Sequence, residues 1–132
     1  MILFKHEHLK DEFSRVDPRL RVLLFYTCGL ASNELYKDIK ITQLFRTQTQ
    51  QDAIYSVNPF YAKQPWKSTH QVGRACDLST RNLSRDEVSV LIDLLNVNFE
   101  YGNAKKTAIY HNVGLGDHIH LQVPHKVTSF FS

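Results

Sequence analysis

Apolar residues along this chain fall into two rhythms. From Leu20 through Leu23, Leu24, Cys28 and Ala31 to Leu35 they recur every three or four residues, as on one stripe of a helix. Asp17-Pro18 ahead of them supplies a capping carboxylate and a first-turn proline, and Gly29 marks where this helix should bend or end early. Val88, Leu91, Ile92, Leu95 and Phe99 repeat the helical spacing. Ser84-Arg85-Asp86-Glu87 before them is a capping box, with Ser at the cap and Glu three residues on. The second rhythm has period two. Ile39 to Phe45 alternates apolar and polar side chains and predicts a half-buried strand. Val72 to Leu78, built around Gly73, predicts another strand, as do Thr107 to Val113 and His118 to Val123. Gly114-Leu115-Gly116 joins the last two as an antiparallel pair. Thr47 to Ser56 reads as a short helix with Ala53 and Ile54 inward, and Asn58 to Lys67, holding two prolines, as a loop. Helices interleaved with strands early, and a sheet ending in a hairpin, predict an α+β fold. One domain over residues 1–132 should pack its helices on one face of a small, mainly antiparallel sheet.

Composition narrows the class. Hydrophobic residues make up 42% and charged residues 22% of the 132, ordinary globular usage that argues against disordered and fibrous chains. A net charge of +3, evenly spread, is too weak to indicate a nucleic-acid partner, and Lys105-Lys106 is the only adjacent basic pair. Cys28 and Cys76 are too few for a disulfide framework and read as two reduced thiols of the core. The longest apolar stretch, Val22 to Leu30, is far short of the roughly 20 residues of a membrane span, so no membrane insertion is expected. Ile2-Leu3-Phe4 is followed at once by charged residues, and no secretory leader is legible, which predicts synthesis in the cytoplasm.

Of seven histidines, His6, His8, His111 and His125 have no partner at a telling spacing and read as surface or loop residues. Two segments carry more. Ser68-Thr69-His70-Gln71-Val72-Gly73-Arg74-Ala75-Cys76-Asp77-Leu78 and Gly116-Asp117-His118-Ile119-His120-Leu121 bring imidazoles and carboxylates onto neighbouring predicted strands. Such a cluster can give zinc three nitrogen or oxygen ligands and leave the fourth position to water. Strand alternation sends Cys76 away from Asp77 and into the core. It also sets His118 and His120 on one side and Asp117 on the other.

These segments resemble the zinc D,D-carboxypeptidase and L-alanyl-D-glutamate peptidase family, which includes D-Ala-D-Ala dipeptidases, VanY-type carboxypeptidases and phage endolysins. The carriers are Ser-x-His-x-x-Gly-x-Ala-x-Asp-Leu over 68–78 and Asp-x-x-His over 117–120. Phe45-Arg46-Thr47, followed by Gln50-Gln51 and Ile54-Tyr55, also resembles the family's segment after its first strand. The likeness spans about Ile39 to Val123. It implies a Hedgehog/D,D-peptidase-like fold and one Zn2+ per chain held by His70, Asp77 and His120. Asp117 would be the general base, with Arg46 contacting the substrate and Ser68 lining its pocket. The residue after the base is often aromatic in the family and here is His118. A rival set is therefore His70, His118 and His120, with Asp77 only orienting an imidazole. The family set requires a bend at Gly116-Asp117.

The expected function is hydrolysis of peptidoglycan stem peptides, at a D-Ala-D-Ala or L-Ala-D-Glu bond, by a monomer. If the chain is phage-derived, holin-type release or host lysis would carry it to the wall. The other reading is an inactive zinc-containing domain of the same fold that binds cell-wall peptide or a partner protein. Loops such as Asn58 to Lys67 and Glu100 to Lys106 would set substrate choice.

Overall fold

A computed structural model describes residues 1–45, 73–102, 104–111 and 117–125. The expected helix at Thr47 to Ser56, the loop at Asn58 to Lys67 and the Gly114-Leu115-Gly116 turn lie outside these residues, as do Arg46, Ser68 and His70. The described elements are β1 (Ile2–Phe4), α1 (His8–Phe13), α2 (Pro18–Leu35), β2 (Ile39–Gln43), β3 (Ala75–Ser79), α3 (Arg85–Asn98), β4 (Ala108–His111) and β5 (His118–Gln122). Their strands form one sheet in the order β1-β2-β3-β5-β4. Every pairing is antiparallel except β1 with β2, which is parallel. The class is α+β, with the helices against one face of the sheet, as the periodicity predicts.

The helix ends form as their sequence signals require. Asp17 accepts from the Arg19 backbone N–H at 2.9 Å, and Pro18 occupies the first turn, where its missing N–H costs nothing. Ser84 and Glu87 close both hydrogen bonds of the capping box, at 3.1 and 2.8 Å. Gly29 does not end α2, which runs on to Leu35. A single glycine weakens a helix without breaking it, and packing of Leu20, Leu23, Leu24 and Ala31 outweighs that cost. Thr27, not Cys28, takes the inner position, its buried hydroxyl satisfied by the Leu23 carbonyl at 2.7 Å. Cys28 is half-buried, whereas Cys76 is fully buried in the core and burial raises its thiol pKa well above the ordinary value.

The core lies between α2, α3 and the inner face of the sheet. Leu91 and Leu95 of α3 join Ile41, Cys76, Leu78, Ile119 and Leu121 from three strands. Across the two helices Tyr26 meets Phe99 edge to face, ring centroids 4.8 Å apart. No described helix is long and apolar enough to cross a membrane.

Two features were not expected from the pattern. β1 and α1 precede the first predicted element and cover the β2 side of the sheet. Further along, Asn96 of α3 pairs with both backbone groups of Ala108, donating to its carbonyl and accepting from its N–H, each at 2.9 Å. A side-chain amide thus takes the place of a neighbouring strand along the outer edge of β4.

Candidate metal centre

Alternation decides what the opposite face of the sheet carries. With Cys76, Leu78, Ile119 and Leu121 turned to the helices, Asp77, His118, His120 and Gln122 must stand on the other side. Asp77 lies directly opposite His120, and Ser79 opposite His118, in the β3–β5 register. All four polar residues are buried, Asp77 at 2% exposure and His120 at 8%. A bulge in β2 between Ile41 and Gln43 brings Gln43 beside Asp77. The Thr42 hydroxyl at this bulge donates to the Asp77 carbonyl at 3.2 Å, anchoring the strand that presents the carboxylate.

Asp77 Oδ1 lies 3.2 Å from His120 Nδ1 and 3.6 Å from His118 Nε2. The far nitrogen of His120, Nε2, lies 3.0 Å from Gln122 Oε1, and Gln122 Nε2 donates to the Lys106 carbonyl at 2.8 Å. That chain of contacts fixes a tautomer. A carbonyl only accepts, so the Gln122 amide must turn its nitrogen to Lys106 and its oxygen to His120. His120 Nε2 then carries the hydrogen, and the lone pair of neutral His120 is on Nδ1, aimed at a carboxylate oxygen. Two lone pairs at that distance repel unless a proton or a metal ion lies between them.

The spacing suits zinc. Two donors each about 2.0–2.1 Å from a tetrahedral ion are about 3.3–3.4 Å apart, and the two contacts of Asp77 bracket that length. An imidazole whose other nitrogen is held by a hydrogen-bonded side chain is the usual metal-binding arrangement. Among the described residues, no group of three His, Cys, Asp or Glu side chains is arranged to hold a metal ion by itself. His70, the expected third ligand, lies outside the described residues, so the set is compatible with zinc and needs a further ligand to close.

Asp117 sits apart from this cluster. It is the residue before β5, exposed, with its carbonyl accepting from the Thr80 hydroxyl at 3.2 Å. Its carboxylate lies near the Tyr110 hydroxyl and raises the tyrosine's pKa. Tyr110 pairs with Ile119, an inward-facing position. Asp117 therefore leans toward the side of the strand away from His118 and His120, as plain alternation anticipates. Even so, it lines one cleft of about 570 Å³ together with Asp77 and His118. The Gly116 half of the expected bend is outside the described residues.

The pattern reading missed two members of the site. His111, taken for a surface or loop residue, has its ring centroid 4.6 Å from that of His118 and 5.3 Å from that of His120. Only the β4–β5 register, which sets His111 opposite His118, brings it there. Gln122 was passed over as a strand residue, although its position two after His120 already assigns it to the same face. No protein-family model matches the chain, and no curated protein matches it.

Proposed function

We propose that the chain is a zinc-dependent peptidase acting on peptidoglycan stem peptides. The observation that supports this best is the Asp77–His120 pair. Its two donor atoms face each other across neighbouring strands, with the remote nitrogen of the imidazole held by Gln122. Asp77 and His120 would hold the ion with His70 as the third ligand. Zinc bound there would supply a water acidic enough to act at neutral pH.

The remaining work belongs to the chain's own groups. Asp117, outside the ligand set but on the rim of the same cleft, would take the proton of the attacking water on its carboxylate and later pass it to the leaving amine. Arg46 and Ser68 are the expected contacts to the substrate. His118 is the rival ligand, since its Nε2 also faces Asp77.

Elemental analysis, together with mass spectrometry of muropeptides after incubation, tests this reading. The wild-type chain and His118→Ala should each hold one zinc and cleave, while Asp77→Ala should lose the metal and turnover together. Zinc lost from His118→Ala but kept by Asp77→Ala would assign the ligands to the rival set. Hydrolysis by metal-free protein in excess chelator would overturn the zinc mechanism. A zinc-loaded wild type that binds stem peptides without cleaving them would make the chain a binding module.

A further inference from the structure

The cleft that reaches Asp77 and His118 is basic on the side away from the imidazoles. Lys5, Lys40 and Arg81 all line it, with hydroxyls of Thr42, Ser79 and Thr80 between them. The topology explains the gathering. In β2, Ile39 and Ile41 turn to the core, so Lys40 turns to the polar face. Leu3 and Lys5 follow the same alternation after Ile2 and Phe4, and the Lys5 N–H is pinned to the Ile41 carbonyl at 2.9 Å. Arg81 follows β3 directly. The imidazoles enter from the β5 side of β3 and the cations from the β2 side, with Asp77 between them.

Among the described residues these cations are not spent on internal ion pairs. All three are exposed, and among the described residues none has a carboxylate within ion-pair distance. The neighbouring acids have other partners: Glu7 faces Lys10, Asp38 the α-amino group of Met1, and Asp77, in the same cleft, His118 and His120. Asp77 and Asp117 line the same cleft, so three cations against two carboxylates leave it a net charge of +1 with the imidazoles neutral, and the three like charges repel one another. Such an arrangement is stabilised by an anion arriving from outside.

We propose that Lys5, Lys40 and Arg81 form an anion subsite that holds a carboxylate of the peptide substrate and so determines which peptides are accepted. Naming the ligand a peptide rests on the peptidase reading; the anion site does not. Its position bounds the distance to the reacting bond. β3 and β1 are two strand spacings apart, about 10 Å, and an extended peptide covers about 3.3–3.6 Å per residue. The carboxylate therefore falls within about three residues of the bond held over Asp77 and His120. The other side of Asp117 differs in kind. A second cleft of about 660 Å³ shares Asp117 and Thr80 with the first and is lined by Leu83, Val88 and Ile92 together with Arg85, Ser89 and Tyr110. Nucleic acid fits poorly, because three cations are few beside the six to ten phosphate contacts of a strongly salt-dependent site, and among the described residues no Phe, Tyr or Trp lines the basic cleft.

The test uses two short dye-labelled peptides, identical except that one ends in a free carboxylate and the other in a carboxamide. Binding to the full chain is followed by fluorescence anisotropy, and cleavage in the same samples by mass spectrometry. The carboxylate form should bind about 10-fold more tightly, the sum expected of two or three partly exposed ion pairs. Lys5→Ala, Lys40→Ala and Arg81→Ala combined should bring the preference to about 2-fold or less. In the unmutated chain, high salt should shrink the preference the same way, which needs no variant to fold. Equal binding of the two peptides, no binding of either, a preference that survives the triple substitution, or tighter binding of an oligonucleotide would overturn the proposal. Preference without cleavage would leave the anion site standing and remove the peptidase reading; cleavage without preference would do the reverse.

Discussion

Replacing Gln122 with leucine probes the candidate centre without touching a proposed ligand. The substitution removes the acceptor 3.0 Å from His120 Nε2 and the donor 2.8 Å from the Lys106 carbonyl. Volume and burial change little, so the damage is to hydrogen bonding. Without Gln122, neutral His120 is free to carry its hydrogen on Nδ1, the wrong nitrogen for a ligand, and its ring is free to rotate. Loss of such a supporting contact typically weakens metal binding about 10- to 100-fold, or about 1.4–2.7 kcal/mol. The metal-free protein should lose a further 1–2 kcal/mol, roughly two buried hydrogen bonds of about 0.5–1.5 kcal/mol each, partly offset by the leucine. Competition against a chromogenic chelator reads the first number, and melting with and without zinc reads both. At about 4 °C per kcal/mol for a chain of this size, the zinc-induced rise in Tm should shrink by about 5–10 °C. Gln122→Glu is the control, because it keeps an acceptor for His120 while losing the donor to Lys106. Its zinc affinity should stay within about threefold of wild type. Unchanged zinc affinity in Gln122→Leu would refute the tautomer argument. Equal loss in both variants would mean that the bond to Lys106, not the orientation of His120, is what matters.

Three other outcomes are expected. Asp117→Asn should keep zinc but lose about 10²–10⁴-fold in turnover, and in a spectrophotometric titration it should lower the raised pKa of Tyr110; unchanged turnover would remove Asp117 as the base. Asp17 has its pKa lowered chiefly by the Arg19 side chain, so its stabilisation is present above the unfolded carboxyl value of about 3.9 and is lost as pH falls through the lower folded value. Asp17→Ala should therefore cost about 1 kcal/mol near pH 7 and little in strong acid, as thermal melts across pH would show. Asn96→Ala should destabilise by about 1–3 kcal/mol and speed hydrogen exchange at the Ala108 amide, whose bond it removes.

The two long helices were legible because their signals are local, whereas the six-residue α1, with no side-chain cap, was not. Asp17-Pro18 and Ser84 to Glu87 each satisfy backbone groups within one turn, so the residues that form a cap are also neighbours in sequence. β1 was illegible for the opposite reason. Three residues carry too little periodicity to register, and this strand exists through its pairing with Ile39 to Ile41, some 37 positions away. The same division runs through the candidate site. Alternation alone puts Asp77, His118 and His120 on one face once their strands are granted. The presence of His111 depends on the β4–β5 register, and that of Lys5 and Lys40 on strand order, neither of which is written in any local spacing. The extent of the Ile39 strand was overestimated because the bulge after Ile41 interrupts a pattern that looks unbroken on paper.

The amide of Asn96 also bears on how copies of this protein meet. Among the described residues β4 is the last strand of its sheet, and such an edge is a template on which another chain can extend hydrogen bonding. By occupying both backbone groups of Ala108, Asn96 terminates the ladder from within the molecule. A visiting strand would have to displace a helix side chain before it could bond at Ala108, and the four-residue edge offers few other bonds in return. The residue thus acts as a stop against polymerisation.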